Sequence, residues 1–172
     1  MKNLKNLRTL FFAVFALAIT NTISAQETSE TSNYDQKFKL GFGVSGGIPT
    51  DGDDYDWALG GDVRLQYDLS KRTSLTLTTG FTNLFVGDDV PDLGFIPAKA
   101  GFKAFVWEDQ FYVMGEIGAG FAVTNNYEKT TLLWAPSVGY AGKNIDISLR
   151  YEDYDNFNTN QIALRFAYGF EL

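Results

Sequence analysis

The sequence predicts an all-β protein, an eight-stranded antiparallel up-and-down transmembrane β-barrel. Three observations predict it. Apolar residues alternate with small or charged ones at a period of two along eight stretches between Phe38 and Leu172, and successive side chains of a strand point to opposite faces. Aromatic residues make up 16% of the chain, which also holds 17 glycines, a composition of strand formers and tight turns. The links between the stretches alternate short and long, as in a meander with turns on one side of a membrane and loops on the other.

The chain is read in three parts. Residues 1–25 have the layout of a signal peptide: Lys2, Lys5 and Arg8 precede an apolar run from Leu10 to Ile19, and the small residue Ala25 offers the cleavage point. The apolar run is shorter than the ~20 residues a membrane-spanning helix requires. Residues 26–37 form a polar periplasmic leader without periodicity, and 38–172 form the barrel. Cleavage after Ala25 leaves 11 basic and 21 acidic side chains, a formal charge of −10. An acidic surface excludes nucleic acid as a partner, because phosphate binding needs concentrated positive charge. With neither Cys nor His in the sequence, disulfides, a lipoprotein anchor and the usual general base are all excluded.

The last strand carries the pattern most plainly. Ile162, Leu164, Phe166, Tyr168, Phe170 and Leu172 share one face, and Ala163, Arg165, Ala167, Gly169 and Glu171 share the other. The first sets Phe38, Leu40, Phe42 and Val44 against Lys39, Gly41, Gly43 and Ser45. The second sets Trp57, Leu59, Val63, Leu65 and Tyr67 against Ala58, Asp62, Arg64, Gln66 and Asp68. The third places Leu75, Leu77, Phe81 and Phe85 opposite a row of threonines. The fourth places Ile96, Ala98, Ala100, Phe102 and Ala104 opposite Lys99, Lys103 and Phe105. Phe111, Val113, Ile117 and Phe121 face away from Tyr112, Met114 and Glu116 in the fifth. Leu132, Trp134, Val138 and Tyr140 face away from Ala135 and Ser137 in the sixth. Ile145, Ile147, Leu149 and Tyr151 face away from Asp146, Ser148, Arg150 and Glu152 in the seventh. Pro97 and Pro136 each remove a ladder donor, so bulges or frayed ends are expected there.

Short links are expected at Ser70–Arg72, Glu108–Gln110 and Gly142–Lys143. Longer, mostly acidic loops are expected at Ile48–Asp56, Gly87–Leu93, Thr124–Thr130 and Asp153–Asn160. An eight-stranded barrel has room inside for little more than its own side chains. The aromatic face would overfill that space, whereas Gly, Ala, Ser, Thr and a few charges fit it. The apolar face is therefore expected in lipid. This orientation puts Tyr67, Phe111, Tyr140, Tyr168 and Phe170 near one rim and Trp57, Phe85, Phe121, Trp134 and Tyr151 near the other, as two aromatic girdles.

The inward face then carries six basic residues, Lys39, Arg64, Lys99, Lys103, Arg150 and Arg165, and six acidic ones, Asp62, Asp68, Glu116, Asp146, Glu152 and Glu171. Matched charge in a narrow lumen points to a paired plug, since unpaired buried charge is far costlier than paired. Glu116 is expected to partner Lys103 across neighbouring strands.

These features resemble the small OmpA/OmpX-type outer-membrane β-barrel proteins over Phe38–Leu172. The likeness rests on the signal segment, the acidic chain, eight alternating strands with short turns and the terminal Phe166-x-Tyr168-x-Phe170-x-Leu172. What the resemblance implies is an exported outer-membrane protein, a monomer, with membrane lipid and lipopolysaccharide as surroundings. Phe166, Tyr168, Phe170 and Leu172 would be the signal read by the barrel-assembly machinery. Many members end in Phe where this chain ends in Leu172, and no peptidoglycan-binding domain is expected after the barrel.

Other motifs carry less. Gly41-Phe42-Gly43-Val44-Ser45-Gly46 has dinucleotide-fingerprint spacing but is followed by Pro49 and an acidic loop instead of a helix. Asp51, Asp53, Asp54 and Asp56 are the candidates for cation binding, in a loop without the Gly and closing Glu of an EF-hand. No cofactor and no enzymatic activity are expected. The expected task is structural or adhesive, carried by the outward loops. A narrow pore for small solutes is the alternative, and a soluble lipocalin-like ligand-binding barrel is the third reading.

Overall fold

A computed structural model describes residues 36–51, 55–87, 92–124 and 130–172. The signal segment with Ala25, the leader up to residue 35, and the side chains of Asp51, Asp53 and Asp54 lie outside the described residues. Eight strands follow one another: β1 (Phe38–Asp51), β2 (Trp57–Asp68), β3 (Thr73–Phe85), β4 (Leu93–Trp107), β5 (Phe111–Ala122), β6 (Thr130–Ala141), β7 (Ile145–Tyr154) and β8 (Thr159–Glu171). Each pairs antiparallel with the next, and β8 closes on β1.

The register fixes the shape. Cross-strand partners followed round the barrel from Gly47 run through Ala163, Arg150, Ser137, Met114, Lys103, Ser74 and Asp68 to residue 37, ten positions from the start. A stagger of this size in eight strands tilts them by about 35–45° from the barrel axis. At ~3.3 Å per residue a tilted strand of a dozen residues rises roughly 30 Å, enough to cross a ~25 Å apolar band.

Burial is inverted relative to a water-soluble protein. Among the described residues 30 large apolar side chains are exposed, while the buried set holds 19 polar or charged residues against 12 apolar ones. Phe42, Leu77, Ile117, Leu132, Leu164 and Phe166 point outward; Arg64, Lys99, Lys103, Glu116, Arg150 and Arg165 point inward. Monomeric soluble proteins rarely expose an apolar surface this continuous. The girdle aromatics meet in pairs, with Trp57 stacked on Phe85 at 3.8 Å and Trp134 beside Tyr151 at one rim. At the other, Phe111 lies edge-on to Tyr140, joined by Trp107 and Phe38, whose girdle positions the alternation had not singled out.

Three expectations change. Two loop-side connections are shorter than the sequence suggested, because strands run on into them, at 52–56 and 155–158; the other two, 86–92 and 123–129, keep the expected length and shift by one residue. At 155–158 a single 3-10 turn, Asp155–Phe157, replaces the loop expected over Asp153–Asn160. The prolines interrupt the ladder without bulges or fraying. Pairing of β3 with β4 skips the positions beside Pro97, and pairing of β6 with β7 skips those beside Pro136, and each resumes in the same register. The register shifts instead at Pro49/Asp51 and at Phe105/Trp107. The second shift adjoins the β4–β5 turn, where Glu108 and Asp109 have φ of 51° and 53° and Gln110 N–H donates to Trp107 O at 3.1 Å. Two consecutive left-handed residues make this a type I′ turn, whose twist matches the flanking strands.

A closed ladder has no unpaired edge for detergent to invade. The purified protein is expected to migrate faster on a detergent gel unboiled than boiled. Identical mobility together with a helical circular dichroism spectrum would contradict the fold.

Candidate functional site in the barrel interior

The interior is built from the odd or even residues that alternation turns inward, and their ionic contacts cross the lumen. Glu116 of β5 lies at the centre. It accepts a hydrogen bond from Thr78 Oγ1 at 2.6 Å and lies 3.3 Å from Arg64 Nη2, 3.6 Å from Lys99 Nζ and 3.9 Å from Arg150 Nη1. Glu152 takes Lys99 Nζ at 2.8 Å, Tyr154 O–H at 2.9 Å and Gln161 Nε2 at 2.6 Å, with Arg150 Nε 3.4 Å away. Arg165 grips Asp62 with two nitrogens, Nη2 at 2.5 Å and Nε at 2.8 Å, and reaches Asp146 at 3.4 Å. Asp146 also accepts from Lys103 Nζ and Tyr112 O–H, both at 2.8 Å. Nearest the turns, Asp68 takes Lys39 Nζ at 3.1 Å, Gln66 Nε2 at 2.6 Å and Ser74 Oγ at 2.7 Å.

Large side chains fit because small ones face them. A Cβ on Gly43 would come within 2.7 Å of the Arg165 guanidinium, and one on Gly139 within 2.5 Å of the Tyr112 ring. Thus Arg165 lies over Gly43 and Tyr112 over Gly139. Lys103 Nζ in turn sits 3.8 Å from the centre of the Tyr112 ring, near enough for a cation–π contact.

Toward the loops the filling changes character. Ala58, Leu84, Leu93, Phe95, Leu133, Tyr154 and Phe157 form one buried apolar cluster, with Tyr55 and Ala122 packed against it. Strands are thus polar inside over most of their height and apolar inside at the loop mouth.

No protein-family model matches the sequence, and no curated protein matches it significantly. Solved structures do match. Ail of Yersinia pestis in complex with the heparin analogue sucrose octasulfate is 15% identical, with a TM-score of 0.55 over 80% of this chain and 100% of that one. The same protein in a phospholipid bilayer nanodisc is 16% identical, with a TM-score of 0.53 over 77% of this chain and 99% of that one. The N-terminal β-barrel domain of Pseudomonas aeruginosa OprF is 13% identical, with a TM-score of 0.52 over 79% and 100%. This is the fold of the small OmpA/OmpX-type outer-membrane barrels. The structure carries that fold with its own interior.

Within the closed barrel, the interior residues singled out from sequence, Asp62, Arg64, Lys99, Lys103, Glu116, Asp146, Arg150, Glu152 and Arg165, come together in one set of contacts. Two partners differ from expectation. Lys103 pairs with Asp146 of β7, not Glu116, because the stagger carries its side chain turnward of the Glu116 layer. Glu171 stands at the rim and pairs with Lys37 at 3.0 Å, both side chains roughly half exposed. Tyr154 and Gln161 were missed, having been assigned to or beside a loop. So was the apolar mouth, although Leu84, Leu93, Phe95 and Leu133 all hold the inward parity of their strands once the alternation is extended toward the loops.

Phe166, Tyr168, Phe170 and Leu172 lie exposed on the outer face, at the seam with β1. Asp56 donates its backbone N–H to Phe85 O at 2.9 Å, and its carboxylate lies against Gly87. No group of three or more metal-ligating side chains occurs among the described residues. The glycines of the dinucleotide-like spacing are all inside β1, with no helix after them.

Proposed function

We propose that the protein is an integral outer-membrane barrel with a structural or surface-interaction role, its lumen plugged by paired charges. The observation that carries this reading is the inverted burial: an apolar belt outside and an ion-paired interior. Residues 1–25 act as a signal peptide cleaved after Ala25, and 26–37 form the leader. The exposed aromatics Phe166, Tyr168 and Phe170, with Leu172, serve as the assembly-machinery signal. The barrel sits as a monomer among membrane lipid and lipopolysaccharide, and catalysis has no place in this reading.

The plug is supported by the way the contacts interlock. Each interior carboxylate holds at least one cation and a further donor, and Lys99, Arg150 and Arg165 are each shared between carboxylates, which ties the layers of the lumen together. Surface contact is left to connections of seven residues or fewer on the loop side. Ail is seen with a sulfated sugar, but that ligand class is not carried over: Asp53, Asp54, Asp56, Asp88, Asp89 and Asp92 lie in these connections and repel a polyanion.

Fractionation of cells is expected to place the mature chain with the outer membrane. In planar bilayers the wild type is expected to show little or no steady conductance. A large, steady conductance would favour the narrow-pore reading in its place.

A further inference from the structure

We infer that the lumen is a one-ended vestibule: its charged layer is reached by water and small solutes from the turn end and is sealed from the loop end by the apolar mouth. The inference rests on the membrane-barrel reading above and adds a direction to it.

Buried apolar side chains close the loop mouth. Leu84 and Leu133 are 0% exposed, Phe95 and Tyr154 1%, and Phe157 9%. Three rings converge there, Phe95 on Tyr154 at 5.0 Å and on Phe157 at 5.5 Å, with Tyr154 and Phe157 at 6.2 Å. Phe157 is held in place by its neighbour: Asn156 N–H donates to Thr131 Oγ1 at 2.9 Å, and Asn156 Nδ2 donates to Thr130 O at 2.7 Å. The polar atom of the ring cluster, the Tyr154 hydroxyl, is turned down into the barrel. It donates to Glu152 and accepts from Gln161 Nε2 at 2.6 Å. It therefore offers no hydrogen-bonding step to water arriving from the loop side.

The turn end is covered differently: the buried Tyr112 packs edge-on to Phe105 at 5.9 Å, but Lys103 Nζ lies against both rings and the Tyr112 hydroxyl donates to Asp146, so polar groups run through this cover. Beside these rings the ion pairs reach the surface, with the Lys39 side chain 38% and the Asp146 side chain 19% exposed. The buried polar atoms lacking a partner lie largely on this side. Thr76 Oγ1, Ser137 Oγ and Arg64 Nη1 sit three or four residues from the turn end of their strands. Buried polar groups without protein partners are usually met by ordered water, and on the turn side Lys39 and Asp146 are the partly exposed members of the charged layer. The charged layer thus answers to the solution beneath the turns and is insulated from the solution beyond the loops.

The absence of cysteine from the sequence makes the test clean. Single-cysteine variants Ser137→Cys and, as a second probe position, Thr76→Cys are reconstituted into lipid vesicles. Lys71→Cys in a turn and Asp56→Cys by the loops report sidedness and insertion. A small, charged, membrane-impermeant thiosulfonate is then added from one side at a time. Labelling of Ser137→Cys or Thr76→Cys is expected to be at least about tenfold faster from the turn side, since loop-side entry requires local opening of a packed cluster. Adding Phe157→Ala to either variant is expected to raise loop-side labelling and leave turn-side labelling unchanged. Equal labelling from both sides, faster labelling from the loop side, or none from either side while Lys71→Cys reacts would each overturn the inference. Failure of the membrane reading itself would look different, because the control cysteines would then not be sorted to two sides of a bilayer.

Discussion

Glu116→Ala is expected to destabilise the barrel by about 3–5 kcal/mol, the cost of removing one partner from a buried ionic cluster. Three cations, Arg64, Lys99 and Arg150, converge on this carboxylate within 3.9 Å, and the Glu116 side chain is fully buried. Its loss leaves Lys99 to Glu152 and Arg150 to Glu152 and Asp62, removes the carboxylate that Arg64 pairs with, and leaves Thr78 O–H without its acceptor. Lys103→Ala is expected to cost less. Its partner Asp146 is 19% exposed and keeps Tyr112 O–H and Arg165, so the orphaned carboxylate remains solvated and hydrogen-bonded. Urea unfolding in lipid vesicles measures both. A Glu116→Ala cost below that of Lys103→Ala would show that the central layer is hydrated and weakly coupled, against the plug.

Leu164→Arg is the second large effect, expected to cost roughly 2–4 kcal/mol if the outer face of β8 lies near the bilayer midplane. Leu164 is 43% exposed and pairs with Gly46 and Leu149 in mid-wall. Its neighbour Ala163, at almost the same depth, is 1% exposed and faces the lumen beside Arg150 and Gly47. Ala163→Ser should therefore cost much less, since a hydroxyl there meets polar neighbours. Equal, small costs for the two variants would mean that the outer face is not in hydrocarbon.

The period of two made the wall legible. Side chains such as Leu77, Ile117 and Phe166 betray their direction by parity alone, and parity survives any error of a residue or two at strand ends. Partner choice was not legible in the same way. Lys103 and Glu116 lie on adjacent strands, yet Lys103 reaches Asp146 on β7, because in a tilted, staggered barrel long side chains meet across the lumen and not along the ladder. Stagger is a property of the closed sheet, and no local pattern carries it.

The loop mouth was hidden for a different reason. Leu84, Leu93 and Leu133 are inward by parity, but they adjoin sequences rich in Asp, Asn and Thr that read as loop. Tyr154 and Phe157 lay in a run, Asp153 to Asn160, whose composition favours turns, and tertiary packing of their rings on Phe95 drew that run into strand and a single 3-10 turn. At Pro97 and Pro136 the sequence rule asked for bulges, whereas constant register on both sides shows that a closed wall tolerates a missing bond without slipping.

A refolding trial tests most directly whether the outer face of the barrel is a lipid face. Chain diluted from denaturant into buffer alone is expected to aggregate or stay unfolded, and the same chain diluted into lipid vesicles is expected to acquire the fast-migrating, unboiled form on a detergent gel. A monodisperse, folded monomer in plain buffer without any amphiphile would contradict a lipid face.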